Sequence, residues 1–218
     1  MNQIVPPRFL FRWSFTAKKL DHLPSTTGRL LDLPNDCALP SIGELDQHSD
    51  FALVKLAWND RGLALSLTVS GKTRQPDCVA SELLRSDGIR IWIDTRNTQT
   101  VHRATKFCHQ FVLLPAGGGR KRTEPVVESL AVARAREETM LPAVELVQIQ
   151  AESTTNGYWI DAWFPAEVFT GFDPATSPRL GFHYRVLDAE LGDQTLAVGS
   201  EFPYDSDPSL WPTIELIA

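Results

Sequence analysis

Short segments that alternate apolar and polar residues, each bounded by turn-forming residues, recur along this chain and leave few folds open to it. The clearest is Ser86–Arg96, SDGIRIWIDTR. Asp87-Gly88 is a turn pair, after which Ile89, Ile91 and Ile93 share one side and Arg90, Trp92 and Asp94 the other, the period of a strand. The isoleucine side is core. The other side sets a cation, an indole and a carboxylate in a row, which is costly unless the groups pair with one another or the surface is solvated and used.

The same alternation runs through the rest of the chain. Phe51–Trp58 and Leu63–Ser70 flank Asn59-Asp60-Arg61-Gly62 and read as a hairpin, with Leu63, Leu65, Leu67 and Val69 facing one way and Ala64, Ser66 and Thr68 the other. Tyr158–Phe164 puts Tyr158, Ile160, Ala162 and Phe164 opposite Trp159, Asp161 and Trp163, and Pro165 stops it. In Leu180–Leu187, Phe182, Tyr184 and Val186 oppose Gly181, His183 and Arg185. Further strands are predicted at 8–16, with Phe9, Phe11, Trp13 and Phe15 as an aromatic inner face, and at 105–115, 143–151, 195–199 and 211–217. Residues 126–138 are rich in helix-favouring Ala, Arg and Glu, yet their alternation is that of a strand, and a strand is predicted. Short helical turns are expected within 79–84 and 166–169. The stretch from about 18 to 50 has no sustained period; an irregular segment so long in a compact domain is usually a packed, functional loop. These elements predict an all-β fold, an antiparallel two-sheet β-sandwich of jelly-roll type with few short helical turns.

At 218 residues the chain is the size of a single all-β domain, and one domain spanning 1–218 is expected. A formal charge of −6 and a hydrophobic fraction of 43% suit a soluble protein and argue against nucleic acid, whose phosphates reward basic patches. The basic run Gly117-Gly118-Gly119-Arg120-Lys121-Arg122 lacks the strand-to-helix setting of a phosphate loop and reads as a solvated connection. No apolar run approaches a membrane span, and MNQIVPPRFLFRW has prolines and arginines where a secretory leader would be apolar, so a soluble protein is expected, its compartment left open with the cytoplasm favoured over export. Cys37, Cys78 and Cys108 are odd in number and widely spaced, which predicts reduced thiols.

If the three polar strand faces belong to one sheet, Arg90, Trp92, Asp94, Trp159, Asp161, Trp163, His183 and Arg185 form a surface of flat rings beside fixed donors and acceptors. Sugars suit such a surface: their C–H faces stack on indole and their hydroxyls take bidentate Arg and carboxylate partners. The competing reading has the tryptophans half-buried under the 18–48 and 71–85 loops, with the arginines paired to Asp94 or Asp161 as a buried network.

The ordered pieces WNDRGLALSLTVSG, SDGIRIWIDTR, GYWIDAWFP, LGFHYRVLDAELG and DPSLWPTIEL, covering about residues 50 to 217, resemble the family-nine carbohydrate-binding modules and their DOMON-type sandwich relatives. The resemblance implies a β-sandwich that binds the end of a saccharide through aromatic rings, sometimes with structural calcium. Asp60, Asp87, Asp94, Asp161 and Asp188 match the acidic positions of those segments, and Trp58, Trp92 and Trp211 the aromatic ones. Asp87 and Asp188 are the metal candidates on this basis; as residues beside strand ends they also read as turn formers.

A non-catalytic carbohydrate-binding module is therefore the first expectation. The DOMON relationship raises a haem-binding electron-transfer domain, for which Met140 with His102, His109 or His183 could ligate iron, although one internal methionine and no attachment motif weigh against it. No enzyme is expected, since there is no nucleophile elbow and His109 shares the alternation of Phe107 and Phe111 as a core residue would. A structural interaction domain with no small ligand is the remaining class.

Overall fold

The computed structural model describes residues 7–40, 42, 45, 49–137 and 141–218. Among the described residues eleven strands carry the fold: β1 (Ser14–Lys19), β2 (Ala52–Asn59), β3 (Gly62–Ser70), β4 (Gly88–Asp94), β5 (Cys108–Gly118), β6 (Glu124–Leu130), β7 (Gln148–Thr154), β8 (Gly157–Pro165), β9 (Arg179–Asp188), β10 (Gly192–Thr195) and β11 (Thr213–Ile217). The helical content described is limited to short 3-10 turns. None of the helices described is long and apolar enough to cross a membrane.

Alternation built these strands as it should. Leu63, Leu65, Leu67 and Val69 of β3, Ile89, Ile91 and Ile93 of β4, Tyr158, Ile160, Ala162 and Phe164 of β8 and Phe182, Tyr184 and Val186 of β9 all enter one core. The predicted hairpin forms, with Asn59 opposite Gly62 and Ala52 opposite Val69. The basic run at 119–122 is the solvent-exposed tip between β5 and β6.

The sheet does not divide into two. Its order is β6-β5-β4-β9-β11-β1-β2-β3-β8-β7, with β10 on β9, and β1 is the link. That strand pairs in parallel with β11 along its length and with β2 through Lys18 and Lys19 alone, so the expected wholly antiparallel two-sheet sandwich is replaced by one curled, barrel-like sheet. Strand twist lets so long a ladder curl until its limbs face each other. Phe111 of β5 meets Phe164 of β8 across the interior, ring centroids 5.0 Å apart.

Other boundaries moved too. Pro7–Leu10 is a 3-10 turn and β1 begins only at Ser14, because consecutive prolines at 6 and 7 resist a ladder. Phe15 is core, whereas Phe9 and Phe11 stand outside at 40% and 59% exposure. The short strand expected at 195–199 lies earlier, at Gly192–Thr195. Leu130 ends the strand expected to continue through 138, and residues 138–140 lie outside those described. The strand expected at 143–151 begins at Gln148, after a 3-10 turn at Val144–Leu146.

The irregular stretch before β2 is packed. Leu23, Leu31, Leu33 and Cys37 cover the outer face of β2, β3 and β8, forming a second cluster with Ala57, Ala64 and Trp163. Lys55 holds it from the sheet side, its ammonium donating to Leu33 O at 2.8 Å and Asn35 Oδ1 at 2.9 Å.

Candidate functional site

The eight side chains expected on one surface occupy two. Because the inward faces of β4 and β9 and of β8 share a single core, their alternate faces point outward on opposite sides of the curled sheet. This corrects the expectation of a common face: the period-two pattern assigns each residue to a side of its own strand, but where the sheet curls, "outward" means opposite directions.

On one side, β4 and β9 pair Arg90 with Arg185, Trp92 with His183 and Asp94 with Gly181. Residues 196–211 cover them. Trp92 is fully buried among Cys108, Val198, Tyr204 and Trp211, with Tyr204 edge-on to it at 5.3 Å and the Arg90 guanidinium 4.9 Å from its ring. His183, also fully buried, lies 4.5 Å from the Tyr204 ring, and neither imidazole nitrogen has a hydrogen-bond partner among the described residues. Burial, helped by the charge of Arg8, holds His183 down at about 3. Asp94 accepts hydrogen bonds from the backbone N–H of Arg96 (2.9 Å) and Thr98 (2.6 Å), capping the turn after β4. Burial raises its pKa even so. Arg185 forks onto Asp193 at 3.0 and 2.8 Å.

On the other side, Asp161 is wholly buried and fully used. It accepts from Arg29 Nε (2.6 Å) and Nη2 (3.0 Å), from Ser66 Oγ (2.7 Å) and from Leu31 N (3.2 Å). Arg29 also lies over the Trp159 ring at 4.2 Å, and Trp163 is buried beneath the loop. This trio pins the long segment to the sheet, as the buried-network reading anticipated, with Arg29 as the partner in place of Arg90 or Arg185.

Asp87 and Asp188 do converge, on an ammonium. Lys72 Nζ lies 3.0 Å from Asp87 Oδ2 and 2.7 Å from each oxygen of Asp188, and all three side chains are buried. Backbone N–H groups of Asp77, Ala189, Glu190 and Leu191 fill their remaining acceptor positions. Calcium takes six to eight oxygens at about 2.3–2.6 Å, so these residues do not fit it as they stand. Among the described residues no group of three or more His, Cys, Asp and Glu side chains is arranged to hold a metal ion.

The described haem candidates, His102, His109 and His183, stand in different settings. His102 is exposed and bonded to Asp207 and Ser209, His109 accepts from Thr170 N at 3.1 Å, and Met140 lies outside the described residues. Burial lowers His109 to about 4. Ser209, His102 and Asp207 make no nucleophile relay, because hydroxyl and carboxylate meet the same ring nitrogen, Nδ1. The three cysteines are free thiols, and burial pushes Cys78 and Cys108 up to about 12.

Two open recesses share Arg8 as a wall. One, about 280 Å³, is lined by Phe9, Phe11, Trp13 and Trp211 with Arg12, Gln99 and His102. Its rings are held: Trp13 Nε1 donates to Arg8 O at 2.9 Å, Phe9 stacks on Phe202 at 4.1 Å, and Gln99 links Arg12 to the Trp211 carbonyl. The other, about 260 Å³, is polar, lined by Asp50, Arg185, Asp193, Glu201 and Tyr204. Of the predicted set, Arg185 reaches this second recess. Phe9, Phe11, Arg12 and Gln99, which line the first recess, were outside the expected set, although Pro-Pro before RFLFRW signalled that those rings need not enter a strand.

Fold and site together define a class: a curled all-β domain carrying aromatic and polar recesses beside its first strand. Among solved structures, the chain is similar to a family 9 carbohydrate-binding module from Caldicellulosiruptor kristjanssonii in complex with cellotriose, at 13% identity and TM-score 0.61 over 94% of each chain. A complex of a family 9 module from that organism with glucose matches with TM-score 0.53 at 13% identity, over 76% of this chain and 75% of that one. A candidate carbohydrate-binding protein from Bacteroides uniformis matches at 13% identity with TM-score 0.59, over 94% of this chain and 100% of its own. At such identity the likeness establishes the fold. No family model matches the sequence, and no curated protein does either.

Proposed function

We propose that this protein binds a carbohydrate without catalysing a reaction, and that the sugar enters the aromatic recess at the start of the chain. The observation that carries the reading is the open Phe11 ring, 59% exposed on a wall shared with Trp13 and beside the donor Arg12. A flat ring next to fixed polar groups matches the two-sided chemistry of a pyranose, apolar on its C–H face and hydroxylated at its rim. A volume of about 280 Å³ is at the low end of ligand pockets and suits one or two sugar rings better than a long chain within it. Similarity of fold to modules solved with cellotriose and glucose supports the same class of ligand. The polar recess beyond Arg8, with Arg185, Asp193 and Glu201, offers hydroxyl partners for a second ring.

Titration with glucose, cellobiose, cellotriose and xylo-oligosaccharides, followed by tryptophan fluorescence and calorimetry, tests the proposal. Saturable binding is expected, weakened about tenfold by Phe11→Ala, which corresponds to about 1.4 kcal/mol of stacking. Silence across the panel, or binding untouched by Phe11→Ala and Arg12→Ala, refutes it.

A further inference from the structure

Beneath the turn that opens β4, the chain carries its own cation. Lys72, two residues after β3, turns inward between Asp87, immediately before β4, and Asp188, at the end of β9. Its side chain is 2% exposed and theirs 1% and 0%. Glu190 Oε2 stands further out, 3.8 Å from the ammonium, and Glu190 also accepts from Thr73 N and Arg74 N. Burial opposes the charge on Lys72, but its hydrogen bonds to Asp188 and Asp87, with the negative charges of those carboxylates, outweigh it and raise its pKa. Three carboxylates thus converge on a single positive centre that ties the connection after β3 to the ends of β4 and β9, and a recess of about 200 Å³ leads to it.

We propose that the Lys72 ammonium is the built-in cation of this fold, doing at Asp87 and Asp188 the structural work of a bound calcium ion, so that this site takes no calcium in the wild type and Lys72→Ser turns the same carboxylates into a calcium site. The geometry explains the exchange. Asp188 is already bidentate towards one point, Asp87 supplies a third oxygen and Glu190 is poised to give a fourth, while removing the lysine leaves room for the water ligands that calcium also accepts. It also leaves buried carboxylates with no counter-charge, which a divalent ion relieves.

The test compares thermal unfolding of wild type, Lys72→Ser and Lys72→Ser/Asp188→Asn in a chelator and in a calcium titration, with calorimetry of calcium binding. Wild type is expected to unfold at the same temperature in both and to bind no calcium at this site. Lys72→Ser should unfold about 10 °C lower in chelator, recover as calcium is added, and lose that recovery when Asp188→Asn is added. If Lys72→Ser does not fold, Lys72→Gln carries the same titration. A wild-type midpoint that rises with calcium overturns the proposal, as does a lysine variant as stable as wild type or one that calcium does not rescue.

Discussion

His183 should give the protein a steep and removable acid sensitivity. Its ring is fully buried between Trp92 and Tyr204 with no hydrogen-bond partner for either nitrogen among the described residues, so the fold accepts only the neutral form, down to about pH 3 against an ordinary 6.5. In the unfolded chain it protonates at its ordinary pKa. Below about 6.5 the unfolded state therefore binds the extra proton, and stability falls with pH by about 1.4 kcal/mol per unit for this residue. His109, held at about 4, adds the same slope down to that point. Between pH 7.5 and 5 each histidine removes about 2 kcal/mol, together about 4, a large share of the roughly 5–15 kcal/mol of an ordinary domain. His183→Leu deletes one share. Urea unfolding at pH 7.5, 6.5, 5.5 and 5 should show the stability difference between variant and wild type moving by about 2 kcal/mol in the variant's favour from pH 7.5 to 5, whatever its value at pH 7.5. Carboxylates that titrate in the same range cancel in the difference. A difference that stays flat over this range refutes the reasoning.

Other perturbations follow from the same geometry. Asp161→Ala strips Arg29, Ser66 and Leu31 N of their shared acceptor and should cost about 2–4 kcal/mol in urea unfolding, with faster proteolysis within residues 20–37; an unchanged cleavage rate would contradict the anchoring role. Gly88→Ala should cost about 3 kcal/mol, because at φ +153° a Cβ would lie 2.2 Å from the Leu113 carbonyl; a variant as stable as wild type by calorimetry would show that the strand can shift. Phe11→Ala, at an exposed ring, should change the unfolding midpoint by less than about 2 °C while weakening sugar binding, which separates loss of ligand from loss of fold.

What the sequence determined by itself was the side of each strand that makes the core. Ile89, Ile91 and Ile93, or Leu63, Leu65 and Leu67, alternate so regularly that any register burying one must bury the others, and SDGIRIWIDTR became β4 with its turn at Gly88 as read. The hairpin at Asn59–Gly62 and the stop at Pro165 were equally local, set by turn chemistry. Only the tertiary structure decided where the other faces look. Trp92 and Trp163 obey the same alternation, yet one lies under residues 196–211 and the other under the 20–37 loop, because a curled sheet sends the outward faces of its two limbs in opposite directions. Nor could the sequence pair Asp161 with Arg29, 132 residues away, or bring Lys72 to Asp188 across 116. Periodicity is a property of neighbours along the chain, whereas a partner for a buried charge is chosen by the closure of long loops, and it is there that the candidate surface moved from the strand faces to the rings of Phe9, Phe11 and Trp13.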